Sequence, residues 1–252
     1  MPSIRIVFLG TGNAFNTGGR GSQAVWIEPE GAAPILVDAG PTVLAAMERF
    51  GERPARLDQV FFTHLHGDHI AGWPFLLLHG AFADPRSRPL RAVGPEGTMA
   101  RLELLARGCY PEILVEGKLP FAVEASEIPI AAGSHEAGGV TFDVVPLEHH
   151  ETSLGYRFRL PGAVIAVTGD TRWCDGLEEL SRDADLLVLE CTTVEKSATA
   201  HVSLEELRAG LDRLHAKQIV LVHLTDEVER AFEADPIPGV SPARDGAEIR
   251  LG

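Results

Sequence analysis

Between Thr63 and Ile70 the chain reads His64-Leu65-His66-Gly67-Asp68-His69, so four side chains able to bind a metal fall within six residues. Imidazole nitrogen and carboxylate oxygen together suit zinc, and also iron or manganese. His64 and His66 are two apart, and on an extended segment such side chains point the same way. Gly67 permits a sharp turn. Asp68 then stands where a helix begins, with its carboxylate able to face back to the same cleft. With ten histidines in 252 residues, this clustering is very improbable by chance. The chemistry it offers is that of a bound divalent cation, which lowers the pKa of water and polarises an ester.

These donors need rigid elements around them. The apolar run Gln59–Thr63 reads as a short strand that delivers His64 to a strand end. From Asp68 to about Leu78 the pattern is helical, with Pro74 as an interruption. Upstream, Ile4–Leu9, Gln23–Glu28 and Pro34–Asp38 read as strands, and Pro41–Phe50 as a helix opened by proline. Ala100–Arg107 is a further helix. Downstream, Val140–Pro146, Ser153–Leu160, Ala163–Thr168, Asp185–Glu190 and Ile219–Val222 read as strands. Ser203–His215 reads as a helix, because Ser203 followed by Glu206 is a capping-box pattern. The pattern alone supports mixed α and β. No linker or repeat divides residues 1–252, which predicts one domain.

Composition narrows the class. Apolar residues make up 45% and charged residues 23%, ordinary for a globular protein. The net charge is −14, which repels phosphate backbones at long range. A long nucleic acid is therefore not the expected partner. Two divalent cations would place four positive charges at the site and override the average locally. The three cysteines, Cys109, Cys174 and Cys191, show no C-x-x-C spacing, which argues against a disulfide framework or a cysteine-zinc site. No stretch has the ~20 apolar residues that span a bilayer, and the first residues lack a signal-peptide pattern. A cytoplasmic location with no membrane partner is expected.

The His64–His69 motif resembles the signature of the metallo-β-lactamase superfamily, and further segments match in order. Leu9-Gly10-Thr11-Gly12 is similar to the family's start. Glu148–Phe158, with His149 six residues before Gly155-Tyr156, resembles the third-ligand segment of ribonuclease Z and related phosphodiesterases. That offset selects His149 over His150. Thr168-Gly169-Asp170-Thr171 resembles the segment of a bridging aspartate. Leu189-Glu190-Cys191-Thr192 resembles an acidic strand end. Ala200-His201-Val202-Ser203 is similar to the segment that supplies a catalytic histidine, and Val222-His223-Leu224 to the last metal ligand. Ala247-Glu248-Ile249 is similar to the closing strand. The likeness implies an αββα sandwich of two mixed sheets flanked by helices.

It also implies roles. His64, His66 and His149 would hold one metal, Asp68, His69 and His223 the other, and Asp170 would bridge them. Zinc is the default from the ligand types, with manganese or iron compatible. Asp68 would also accept the nucleophile's proton. His201 would protonate the leaving group or stabilise its charge. Glu190 either orients His201 or makes a structural hydrogen bond at a strand end. The branch implies a dinuclear hydrolase acting on a small or cyclic phosphodiester. A thioesterase, lactonase or aryl sulfatase is the alternative, then a non-catalytic metal-binding scaffold. Relatives are often homodimers.

Three departures matter. The interval from His149 to Asp170 holds only a strand pair, with no room for a tRNA-binding arm, so tRNA maturation is not expected. The phosphodiesterase of phosphonate utilisation carries a cysteine-rich loop where this chain has Asn13–Gly21, without cysteine. Arg20 in that loop either touches an anionic substrate or is a solvated charge. Trp73 and Trp173 either wall the pocket or pack in the ordinary way. Gly80–Arg91 reads as a lid-like loop or a plain surface connection.

Overall fold

The computed structural model describes residues 2–112, 118–150 and 152–252. Glu151, in the segment around His149, lies outside the described residues. The strands form two seven-stranded sheets among the described residues. The first contains β1 (Ile4–Gly10), β2 (Ala24–Pro29), β3 (Ile35–Val37), β4 (Gln59–Phe61), β5 (Leu90–Pro95), β6 (Val123–Ile128) and β14 (Glu248–Leu251), in the order β14-β1-β2-β3-β4-β5-β6. The second contains β7 (Gly133–Ala137), β8 (Val140–Glu148), β9 (Thr152–Leu160), β10 (Ala163–Val167), β11 (Leu186–Glu190), β12 (Ile219–Val222) and β13 (Val240–Pro242), in the order β13-β12-β11-β10-β9-β8-β7.

Strand alternation builds the layers. Ile4, Ile6 and Phe8 face the second sheet and pack with Val144, Tyr156, Phe158 and Ile165. Val7 and Leu9, one residue out of phase, face the outer helices with Trp26, Met47 and Leu102. Those helices are α1 (Val43–Phe50), the single turn α2 (Gly67–Ile70), α3 (Trp73–Leu78) and α4 (Thr98–Cys109). On the far side α5 (Asp175–Ser181), α6 (Leu204–Gly210) and α7 (Asp226–Ala234) cover the second sheet through Leu177, Leu207 and Val228. The result is the αββα sandwich that the resemblance implied.

Between the sheets, the Phe61 ring stands edge-on to Phe142, Tyr156 and Phe158 at centroid distances of 5.1, 5.4 and 5.0 Å. Such edge contacts favour one relative position of the layers. Two hydrogen bonds then cross directly beneath the histidine motif. The Tyr156 hydroxyl donates to the Phe62 carbonyl at 2.8 Å, and Leu154 N donates to the Thr63 carbonyl at 2.9 Å. The second sheet thereby fixes the segment that carries His64.

Several local expectations change. The helix expected from Asp68 breaks at Ala71-Gly72, and Pro74 lies in the first turn of α3 instead of interrupting a helix. A first-turn proline lacks only an N–H that has no partner there anyway. The helix expected over Ser203–His215 ends at Gly210 and continues as a 3-10 turn over Leu211–Arg213. Its capping box is real: Ser203 Oγ accepts from Glu206 N at 3.1 Å. Residues 80–91 form no lid. His79–Ala83 is a π-helical turn, and buried Arg86 donates to the carbonyls of Leu57, Arg88 and Pro89.

Asp143 on β8 pins the second sheet's outer face. It is buried and accepts from Arg157 Nε at 3.0 Å, from Ser134 Oγ at 2.6 Å and from Arg159. Burial pushes its carboxyl up, but the Ser134 hydrogen bond and the two guanidiniums outweigh it, and it titrates below its usual range. A depressed folded pKa contributes stability that is complete above the unfolded pKa and lost on acidification. Asp143→Ala, which leaves Arg157 unpaired, should therefore destabilise by about 2 kcal/mol at neutral pH, roughly 4–8 °C in Tm. The gap between variant and wild type should narrow below about pH 4. Thermal unfolding followed by circular dichroism across pH 3–8 measures both.

Candidate metal centre

Parallel strands in both sheets end at one edge of the sandwich, and the polar side chains converge there. His64 follows β4, Asp170 follows β10, Glu190 ends β11 and His223 follows β12. His149 lies between β8 and β9, and His201 precedes α6. Two glycines permit the convergence. A Cβ on Gly40 would stand 2.2 Å from the Asp68 carbonyl, and one on Gly169 would stand 2.3 Å from Ser153 Oγ. Without those close approaches neither α2 nor the Asp170 loop could reach its place. His223 itself adopts a left-handed conformation (φ 58°). That conformation costs a non-glycine residue on the order of 1 kcal/mol or more, and here it turns the ring inward.

His64, His66, His149 and Asp170 bring donor atoms within 4.8 Å of one another, and so do Asp68, His69, Asp170 and His223. Asp170 is common to both groups. Its Oδ2 lies 3.8 Å from His64 Nε2, 3.9 Å from His149 Nε2 and 3.5 Å from His223 Nε2, and its Oδ1 lies 3.3 Å from His69 Nε2. Asp68 Oδ2 lies 3.4 Å from His69 Nε2 and 3.3 Å from His223 Nε2. His66 Nδ1 is 3.3 Å from His149 Nε2. Tetrahedral ligation at about 2.0–2.1 Å separates donors by roughly 3.3 Å, so the spacing suits such ions. Glu190, His201 and His223 form a third close group.

The opposite edge of each ring is held. His64 Nδ1 lies 3.1 Å from Thr63 Oγ1, His149 Nδ1 2.9 Å from the Ala200 carbonyl and His223 Nδ1 2.8 Å from Thr192 Oγ1. Asp38, fully buried, holds His69 Nδ1 at 2.7 Å and accepts from Thr63 N at 2.9 Å. The Nε2 atoms of His64 and His69 remain buried without a hydrogen bond among the described residues. A buried nitrogen left unpaired in this way is costly unless something binds it. Pairing the outer nitrogen fixes tautomer and orientation, as metal-binding imidazoles require. The donor set therefore fits divalent cations.

The electrostatics agree. Burial pushes the Asp170 carboxyl up, yet His223, His69 and His64 hold it well below the usual carboxylate range. Asp68 is held low in the same way, against burial, by His223 and His69. Burial, then the charge of His69, pushes His64 well below its ordinary value, and burial lowers His149. Burial also acts against the charged form of His69, but Asp170 and Asp38 outweigh it and raise its pKa. Ionised carboxylates with neutral imidazoles are the ligating forms, and a bound cation would displace the proton His69 holds.

His201 lies beside this cluster. Its Nδ1 is 2.9 Å from Glu190 Oε1 and 4.0 Å from Asp170 Oδ2, and its ring stacks on His223 at 5.3 Å. Burial opposes its charged form, but the hydrogen bond and charge of Glu190 raise its pKa. Glu190 also accepts from Thr171 N at 3.0 Å. Every residue singled out as ligand or catalyst thus lies at this edge. Four supporting groups were not legible: Asp38, Thr63, Thr192 and the Ala200 carbonyl. Asp38 had a weak signal, a carboxylate closing the apolar strand Ile35–Val37 just before Gly40.

Other candidates lie elsewhere. Arg20 is not a solvated charge: it is buried, donates to Thr11 Oγ1 at 2.6 Å and the Ala243 carbonyl at 2.9 Å, and pairs with Glu229 at 2.7 Å. Trp73 is core, edge-on to Phe62. Trp173 packs against Gly210. His150 is exposed. Among the described residues no helix is long and apolar enough to cross a membrane.

Asp38→Ala removes the anchor of His69 without touching a donor atom. Metal affinity should fall by about 10–100-fold, the range for groups that orient ligands. Asp170→Ala should abolish both metal retention and activity. Metal analysis after dialysis against a graded chelator separates the two effects.

Comparison with known proteins agrees with the geometry. A ribonuclease Z of Natronomonas pharaonis is 29% identical over 285 aligned positions, covering 94% of this chain and 90% of the relative. The short form of human tRNase Z superposes with a TM-score of 0.80 at 23% identity, covering 98% of this chain and 99% of the other. A diphosphatase of the PhnP family superposes with a TM-score of 0.76 at 20% identity, covering 98% and 97%. These likenesses correct one expectation: a long nucleic acid is not excluded as a partner, since ribonuclease Z and tRNase Z are named for RNA. Net charge sums the whole surface, whereas a phosphate meets only the local field of a cleft that fits cations. The chain is a metal-dependent hydrolase of the metallo-β-lactamase fold, on the ribonuclease Z-like branch. The family model described as "Anti-Pycsar protein Apyc1" matches residues 4–237, and the chain belongs to that family.

Proposed function

We propose that the chain is a phosphodiesterase acting first on a small or cyclic phosphodiester. In this reading His64, His66 and His149 hold one cation, Asp68, His69 and His223 the other, and Asp170 both. The observation that carries it is the pair of four-donor groups sharing a single buried carboxylate. Zinc is the metal the nitrogen-rich donors favour, with manganese or iron compatible. When bound, two such ions supply Lewis acidity and lower the pKa of water.

The protein's own residues supply the rest. Asp68, ionised and at the edge of the cluster, accepts the proton of the attacking water. His201 donates a proton to the departing alkoxide. Its Nδ1 is occupied by Glu190, and its Nε2 makes no hydrogen bond among the described residues. The raised pKa keeps that proton in place near neutrality, as a general acid requires. Glu190, itself tethered to Thr171 N, prevents the ring from turning.

Among the described residues between His149 and Asp170, the strands are those of one hairpin, β9 and β10, with Pro161-Gly162 at the turn. That short connection leaves a compact rim and supports a small substrate. The names of the relatives favour a second reading, cleavage of an RNA phosphodiester. Thioester, lactone or aryl sulfate hydrolysis on the same centre, and a scaffold without turnover, are the outcomes that oppose both.

The test is a panel: metal-loaded protein with a 2′,3′-cyclic nucleotide, bis(p-nitrophenyl) phosphate, a short 3′-extended RNA, a thioester, a lactone and an aryl sulfate. Turnover of the cyclic or aryl diester is expected. Preferential cutting of the RNA would select the second reading, and turnover of the thioester alone would sink both. His201→Ala should lower kcat by about 10²–10⁴-fold while metal content stays at the wild-type level. Near-normal turnover in that variant removes His201 from the mechanism.

A further inference from the structure

At the pole opposite the metal centre, where the parallel strands of the first sheet begin, the face between the sheets turns polar. Gln59, Arg91 and Glu124 are register neighbours in one row across β4, β5 and β6. Two residues further along β4 and β5, the same face carries Phe61 and Val93 of the apolar core. The row therefore points between the sheets, where interdigitating core side chains are the rule. Gly138, in the turn between β7 and β8, closes the space from the second sheet. A cavity of about 270 Å³ opens here, and its lining includes the row, Asp58, Arg88 and Gly138. Gln59 begins the strand that leads to His64, and at ~3.3 Å per residue the cavity lies roughly 16 Å from that side chain's backbone.

The protein uses these polar groups only in part. Gln59 is 5% exposed, and its Nε2 donates to the Gly138 carbonyl at 3.3 Å. Its Oε1 is buried with no hydrogen bond among the described residues. An orphaned acceptor of this kind is costly unless something donates to it. Arg91 donates from Nη2 to Glu124, while its Nε and Nη1 make no hydrogen bond among the described residues. Arg88 donates from Nε to Asp58 Oδ1 at 2.7 Å and from Nη2 to the carbonyls of Ala55 and Arg56, which leaves its Nη1. Gly138 keeps the space open. It is left-handed (φ 53°), and a Cβ there would stand 2.4 Å from Arg91 Nη1 and 2.7 Å from Gln59 Nε2. Any other residue at this turn would push both groups out of place.

We infer that this cavity binds a free α-amino acid, its carboxylate on Arg91 and its ammonium beside Asp58 and Gln59. The balance of charge selects that class. Arg88 and Arg91 face Asp58 and Glu124, so the lining carries as many guanidiniums as carboxylates. A lone anion would meet the two carboxylates, and a lone cation the two guanidiniums. A zwitterion meets each sign with its opposite. Arg91 Nη1, which Gly138 leaves uncovered, gives the carboxylate a charge-assisted hydrogen bond. The ammonium donates to the Asp58 carboxylate and to Gln59 Oε1, which the soft last torsion of the side chain turns toward it. The volume lies below the roughly 300–1,000 Å³ of pockets for drug-sized ligands, so it suits a molecule of this size. The site is separate from the reaction at the metal centre and does not depend on which ester is cleaved there.

The test titrates the protein amino acids, one at a time, against metal-loaded protein, with saturation-transfer NMR to detect contact and calorimetry to measure Kd. Acetate and glycinamide serve as the anion-only and cation-only controls. At least one amino acid should bind about tenfold more tightly than either control. Arg91→Met and Gln59→Met should each weaken that binding by about tenfold, the loss of one hydrogen bond to a charged group. Neither residue touches the metal centre, so metal content should stay at the wild-type level, and a variant that keeps its Tm decides the question if the other does not fold. Amino acids also chelate divalent cations. A binding signal that survives in both variants therefore belongs to the metal centre and overturns the site. Binding of acetate or glycinamide as tight as that of every amino acid, or no binding by any amino acid, overturns it as well.

Discussion

Asp170 is a carboxylate buried to 3% exposure amid the Nε2 atoms of His64, His69, His149 and His223. A charge in that position is tolerable only if compensated on all sides. Everything around it serves that condition. The histidines come from both sheets, so the sandwich must close before the carboxylate is neutralised. Closure in turn depends on the edge-on rings around Phe61 and on the two hydrogen bonds from β9 to Phe62 and Thr63. The core sets the separation of the layers, and that separation sets the distance across the site.

A second ring of contacts converts this convergence into a defined geometry. Asp38 restrains His69 and, through Thr63, also His64. The Ala200 carbonyl restrains His149, and because Ala200 adjoins His201, one loop bears on the placement of both imidazoles. Thr192 joins His223 to Glu190, and Glu190 holds His201. The positions of these side chains are therefore linked through short hydrogen bonds rather than set independently. Such support keeps donor atoms at fixed spacing even where their mutual repulsion would spread them.

The relatives show how little net charge constrains recognition. At −14 the chain is acidic overall, yet the proteins it resembles include ones named for RNA. What a phosphate meets is the field at the edge of the sandwich, and that field depends on which cations occupy the donors. The loops bordering the centre are the turn after β1, the segment from Thr192 to His201 and the start of α7.

The motif His64–His69 was legible because its donor residues are local: a strand end, a glycine and a helix start put four of them together within six residues. The capping box at Ser203 was legible for the same reason. His149, Asp170 and His223 were reached only through a resemblance in the order of segments, since nothing in their own neighbourhoods marks them. Polar edge strands such as β6 and β7 escaped notice because exposed strands lack an apolar alternation. Arg20 read as a loop charge, but burial against Glu229 gave it a structural task. Asp38 and Thr192 escaped because their partners lie 31 residues away along the chain in each case. Local chemistry is written in residue type and spacing. Which distant groups meet is decided by the packing of two sheets, a property of the whole chain's apolar surface and not of any one segment.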